Sequence, residues 1–169
     1  MKKIFINGGV RSGKSSSAIE KAKELGGDVI FVAAAQETDE EMSARIKRHK
    51  QERPRNWRTI EEPLQIADII SELSGKTVIV DCIGTWITNL LMNDLDDEAV
   101  MLYIEEFVRT FKDADNNIII VSNEVGMGIV PEHRLARRFR DLTGTANQKL
   151  AKAADEFLFM QSGYQIKFK

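Results

Sequence analysis

Ile4-Phe5-Ile6-Asn7-Gly8-Gly9-Val10-Arg11-Ser12-Gly13-Lys14-Ser15 is the stretch on which the fold turns. A short apolar run reads as a buried strand. Gly8 to Ser15 then satisfy G-x-x-x-x-G-K-[ST] at every fixed position, and a helical period begins at Lys14 and runs to Leu25. Strand, glycine-rich loop and helix in that order build a phosphate cradle. Glycines let backbone N–H groups converge on phosphate oxygens, and the helix turns its positive end toward them. Lys14 is placed to reach terminal phosphates, and Ser15 to offer a hydroxyl to Mg²⁺. The plain alternative is a glycine-rich turn without a ligand.

Outward from this stretch, β-branched runs alternate with longer helical segments. Val29 to Ala33, Val78 to Val80, Ile118 to Val121 and Phe157 to Met160 are nearly continuously apolar, as strands covered on both faces are. Lys14 to Leu25, Asp39 to Gln51, Leu64 to Leu73 and Asp97 to Phe111 are expected as helices. Another helix should start near Pro131 and break at Thr143-Gly144, because glycine is poor inside helices. Gly163 turns the chain into Tyr164 to Phe168, an antiparallel partner for the preceding strand. Glu52 to Pro63, with two prolines, three arginines and Trp57, reads as an exposed ordered loop. The alternation predicts a three-layer α/β domain with a mostly parallel central sheet and a C-terminal antiparallel hairpin; with the phosphate loop after its first strand, the expected fold is a RecA-like P-loop NTPase. Ligands in such sheets bind at the carboxyl ends of the strands.

The chain has 169 residues, which suits one catalytic domain spanning 1–169. Its 24 Lys plus Arg against 26 Asp plus Glu leave a charge of −2, which argues against electrostatic binding of nucleic acid. Cys82 is the one cysteine, so an internal disulfide and cysteine-rich zinc sites are excluded. No signal peptide and no apolar run of the ~18 residues a membrane span needs are visible. A cytoplasmic protein is expected.

Thr77-Val78-Ile79-Val80-Asp81 places a carboxylate at the end of a buried strand. Asp81 is therefore the candidate Mg²⁺ partner of Ser15, with turn capping as the alternative. Two histidines are available. His133 is expected on the surface. His49, three residues after Ile46, fits a core position; it also fits a nucleophile, because a largely neutral imidazole can attack phosphorus. Arg48, Lys50, Arg53 and Arg55 nearby would then stabilise phosphate charge. Glu124, just beyond a buried strand, is either a base for an attacking hydroxyl or a loop-stabilising acid. The arginines at 134, 137, 138 and 140 read as a solvated, salt-bridged helix face.

Arg45-Ile46-x-x-His49-Lys50-x-x-Arg53-Pro54-x-x-Trp57-x-Thr59-x-Glu61-Glu62-Pro63 resembles the signature of the CobU/CobP family. Those proteins are bifunctional adenosylcobinamide kinases and adenosylcobinamide-phosphate guanylyltransferases. The phosphate loop, Asp81-Cys82-Ile83-Gly84-Thr85-Trp86, Ser122 to Pro131, and Phe139-Arg140-Asp141-Leu142-x-Gly144-x-x-Asn147-Gln148 are similar to further family blocks in the same order. The resemblance implies phosphorylation of adenosylcobinamide by ATP or GTP. It then implies attack of a histidine, here His49, on the α-phosphate of GTP, and transfer of GMP to the cobinamide phosphate in cobalamin biosynthesis. It implies nucleotide contacts at the phosphate loop, at Ala33, Ala34 and Ala35, at Lys50, Gln51, Glu52 and Arg53, and at Glu61 and Asp81. Lys14 and Glu124 join His49 as the catalytic set. Alanines stand where relatives often carry small hydroxyl residues, Lys50 replaces a common arginine, and Gly84 a common threonine. A homo-oligomer is implied, with trimers among relatives. The rival readings are a plain small-molecule kinase with His49 structural, and a non-enzymatic nucleotide sensor. The absence of an Asn-Lys-x-Asp motif weighs against a switch GTPase.

Overall fold

The computed structural model describes residues 1–36, 43, 46–47, 50–51 and 53–169. Along these, strands and helices alternate as β1 (Lys3–Gly8), α1 (Lys14–Leu25), β2 (Val29–Ala33), β3 (Arg58–Glu61), α2 (Ile66–Ser71), β4 (Thr77–Asp81), α3 (Ile83–Met92), α4 (Asp97–Asp113), β5 (Asn117–Val121), α5 (Arg134–Ala153), β6 (Glu156–Gln161) and β7 (Tyr164–Lys167). The strands form one seven-stranded sheet in the order β3-β2-β4-β5-β1-β6-β7. Every neighbouring pair is parallel except β6 and β7, which form the expected antiparallel hairpin.

Helices cover both faces, and the period of two along each strand decides which side chain meets which layer. Phe5, Val78, Val80, Ile118 and Ile120 face α3, α4 and α5, around Trp86, Phe107 and Leu150. Ile4, Ile6, Ile79, Ile119 and Val121 face the other way, onto Ala18 and Ala22 of α1. This is the three-layer, mostly parallel architecture read from the sequence. Because β5 lies between β1 and β4, the phosphate loop and Asp81 leave the sheet on strands separated by one other.

Two local expectations are corrected, and one helix is added to those read from the sequence. The segment 52–63 is not wholly irregular, because Arg58–Glu61 pairs in parallel with β2. Its Arg-Thr-Ile-Glu sequence is exposed along an edge, so it lacks the apolar run that marks the inner strands. The helix α3 was not expected. Gly144 does not break α5, which runs unbroken from Arg134 to Ala153. Beyond its chain neighbours and its own helix backbone, no atom lies within 4 Å of a Cβ at that position, so Gly144 costs α5 only its propensity, about 1 kcal/mol. The burial of Leu142, Ala146 and Leu150 on the same helix outweighs that. The helix expected over Asp39 to Gln51 falls largely outside the described residues; Ser43, Ile46, Lys47, Lys50 and Gln51 are helical.

Candidate active site

The parallel strands all deliver their candidates to the same edge of the sheet. Gly8 closes β1, Ala33 closes β2, Glu61 closes β3 and Asp81 closes β4. Glu124 follows β5 by three residues. Local packing shapes the phosphate loop. A Cβ on Gly8 would lie 2.3 Å from the carbonyl oxygen of Met160, its partner in the β1–β6 ladder. Gly13, at the N-cap of α1, has φ 96°, a left-handed conformation that disfavours any side chain. The turn of the C-terminal hairpin braces the loop from outside, where Gly163 N donates to Ser12 O at 3.1 Å.

The polar side chains of the cradle converge. Ser15 Oγ donates to Asp81 Oδ2 at 2.8 Å. Lys14 is buried, and its Nζ donates to Gly9 O at 2.6 Å. Burial lowers the pKa of that ammonium, against the opposing charge of the Asp81 carboxylate. Cys82 caps α3, with its Sγ accepting from Thr85 N. Its thiol is pushed up by burial and by the neighbouring Asp81 carboxylate. Ser12 Oγ is buried with no hydrogen-bond partner among the described residues. A Mg²⁺-bound triphosphate fits this chemistry. Ser15 and Asp81 present adjacent hard oxygen donors of the type Mg²⁺ takes, and Ser12 offers an unused hydroxyl in the loop itself.

Glu124 sits against the same loop. Its N–H donates to Gly8 O at 3.0 Å. Asn7 Nδ2 donates to its Oε2 at 3.3 Å, while Gly126 N donates to its Oε1. Asn7 also accepts from Gly8 N. Sequence reasoning gave Asn7 no role. The signal was present as a polar residue, 4% exposed, at the end of a strand otherwise apolar from Ile4.

A second region opens at the ends of β2 and β3. A cleft of about 340 Å³ is lined by Ala35, Gln36, Ile46, Glu61, Glu62 and Pro63. Lys50 Nζ and Glu61 Oε1 pair at 2.6 Å on its exposed side. Ala33 and Ala34 are buried; Ala33 O accepts from Glu62 N, and Ala34 O from Asn89 Nδ2. The Arg53 guanidinium lies 3.5 Å from the centre of the Phe31 ring. His49 and Glu52 lie outside the described residues. Gln51 is exposed. The structure thus brings together the phosphate loop, Asp81 and Glu124, and separately Ala35, Lys50 and Glu61.

A phosphate loop on a central parallel strand, with an acid from a second strand against its serine, defines a P-loop nucleotide-binding protein. Two solved structures share the fold. One is a structural study of Project ID PH0250 from Pyrococcus horikoshii OT3, with TM-score 0.53 and 11% identity, over 99% of this chain and 86% of that one. The other is an ATPase from the type III secretion system of pathogenic bacteria, with TM-score 0.55 and 10% identity, over 95% of this chain and 51% of that one. The chain belongs to the cobinamide kinase / cobinamide phosphate guanyltransferase family, whose model matches residues 4–168. It is 39% identical over 183 residues to the bifunctional adenosylcobalamin biosynthesis protein CobU of Escherichia coli, covering 98% of this chain and 99% of that protein. It is 40% identical over 167 residues to the bifunctional adenosylcobalamin biosynthesis protein CobP of Pseudomonas aeruginosa, covering 98% and 96%.

Proposed function

We propose that the chain, acting as one catalytic domain, phosphorylates adenosylcobinamide and then guanylylates the product, in cobalamin biosynthesis. The reading is supported most by the Ser15–Asp81 contact at 2.8 Å beneath a complete phosphate loop, in a chain that belongs to this family over residues 4–168. In the first step the acceptor hydroxyl of adenosylcobinamide attacks the γ-phosphorus of ATP or GTP. The bond to the β–γ bridging oxygen breaks and the nucleoside diphosphate leaves. Glu124 takes the hydroxyl proton, and Lys14 with the loop amides neutralises charge on the phosphates. Ser15 and Asp81 would hold Mg²⁺, which supplies further charge neutralisation there.

In the second step an imidazole nitrogen of His49 attacks the α-phosphorus of GTP, and pyrophosphate leaves. A phosphate oxygen of cobinamide phosphate then attacks the same phosphorus, the N–P bond breaks, and adenosyl-GDP-cobinamide is released. Splitting the transfer in two lets a bulky acceptor enter after pyrophosphate has gone. Gly8 to Ser15, Ala33 to Ala35, Lys50 to Arg53, Glu61 and Asp81 are the nucleotide contacts of this reading. Lys50 and Glu61, already paired with each other, would exchange that contact for the nucleotide. The working form is a cytoplasmic homo-oligomer.

The purified protein, supplied with adenosylcobinamide, GTP and Mg²⁺, should yield cobinamide phosphate and then adenosyl-GDP-cobinamide by chromatography. Phosphate product alone would reduce the protein to a plain kinase. The absence of both products would overturn the enzymatic reading.

A further inference from the structure

Glu124 has to be carried back over the phosphate loop by Ser122 and Asn123, two residues that leave the sheet at the end of β5. The path is tied from the opposite layer. Asn147, 7% exposed in the middle of α5, uses both ends of its side-chain amide. Ser122 Oγ donates to its Oδ1 at 2.6 Å, and its Nδ2 donates to Asn123 O at 3.0 Å. On the sheet side, Ser122 N donates to Ile6 O at 2.9 Å and Glu124 N to Gly8 O at 3.0 Å. The side chain of Asn123 fills the space over α3, where a Cβ on Gly84 would come within 3.2 Å of its Nδ2.

A buried amide in a helix interior is unfavourable unless each of its groups is satisfied, and an apolar residue would fill the same space at less cost. Here both groups are spent on the two residues that precede Glu124. We propose that Asn147 is the positioning residue for Glu124: by gripping the Asn123 carbonyl it holds the carboxylate against the phosphate loop for the phosphorylation step. The inference rests on the reading of Glu124 as the base of that step. Asn147 itself touches no reacting atom.

Asn147→Ala should lower kcat for adenosylcobinamide phosphorylation by about tenfold to a hundredfold, the range expected when a catalytic group is misplaced by an ångström or less. The KM for GTP and the yield of guanylylated protein should stay at wild-type values. Asn147→Ser, too short to reach Asn123 but able to keep a hydroxyl near Ser122, should show the same split, and it serves if the alanine variant does not fold. An equal fall in phosphorylation and guanylylation would make Asn147 merely structural and overturn the proposal. Glu124→Gln is the control. If it loses phosphorylation while the Asn147 variants keep it, the positioning role alone fails. If it keeps phosphorylation, the reading of Glu124 fails and the inference with it.

Discussion

Replacing Gly8 with alanine tests the cradle at its tightest point. The new Cβ would stand 2.3 Å from Met160 O and 2.9 Å from Ser12 Oγ. Since Cβ contacts essentially never fall below 3.0 Å, the strands must part by at least 3.0 − 2.3 = 0.7 Å. Met160 cannot give way alone, because it is laddered to Gly8 on one side and to Gln165 of β7 on the other. The displacement therefore falls on the loop. Overpacking of this kind costs about 1–3 kcal/mol. Moving the loop amides by most of an ångström should weaken GTP binding by about tenfold or more, or ~1.4 kcal/mol. Titration with a fluorescent GTP analogue in Mg²⁺, beside a thermal melt, measures both. The expected result is a Kd raised at least about tenfold with a Tm lowered by several degrees. Wild-type affinity in a folded Gly8→Ala protein would refute the claim that this glycine sets the shape of the cradle.

Gly144→Ala should do the opposite for stability. With open space around that position, thermal unfolding should show a gain of about 0.5–1 kcal/mol, with turnover unchanged. Asp81→Asn should raise the Mg²⁺ concentration needed for half-maximal phosphorylation by about tenfold, as one charged partner of Ser15 becomes neutral; an unchanged Mg²⁺ titration would remove Asp81 from the metal site. Glu156 contributes a pH dependence. Burial pushes its carboxyl up, but the hydrogen bonds and charges of Lys2 and Lys167 outweigh this and leave it below its ordinary 4.5. A carboxyl lowered by folding stabilises fully above its unfolded pKa, and that contribution disappears as pH falls through the folded value. Glu156→Gln should accordingly melt below wild type at pH 7, with the gap closing under acid; a gap that widens below pH 4.5 would contradict the assignment.

The inner strands were legible because burial on both faces demands uninterrupted apolar runs, and the cradle because its chemistry fixes both residue type and spacing. The elements that escaped did so for physical reasons. In β3, only Ile60 is partly covered and the remaining side chains face solvent, so no hydrophobic pattern is required of an edge strand. In α3 the helical spacing is present at Ile83, Trp86, Ile87, Leu90 and Leu91. Its opening is disguised, since Cys82 caps it through a sulfur where serine, threonine, aspartate or asparagine would announce a start. Asn7 and Asn147 carry no site role in the sequence reading because their partners, Glu124 for the one and Ser122 and Asn123 for the other, are brought near only by the tertiary fold. Asp81 and Ser15, 66 residues apart in sequence, were paired from the cradle's chemistry, and they meet at 2.8 Å.

Peptide mapping by mass spectrometry of the protein after exposure to GTP and Mg²⁺ tests the central claim most directly. The account predicts one GMP moiety joined to the peptide containing His49, released by acid, stable in base, and missing from His49→Ala. An unmodified chain that still produces adenosyl-GDP-cobinamide, or a GMP adduct that survives in His49→Ala, would contradict it.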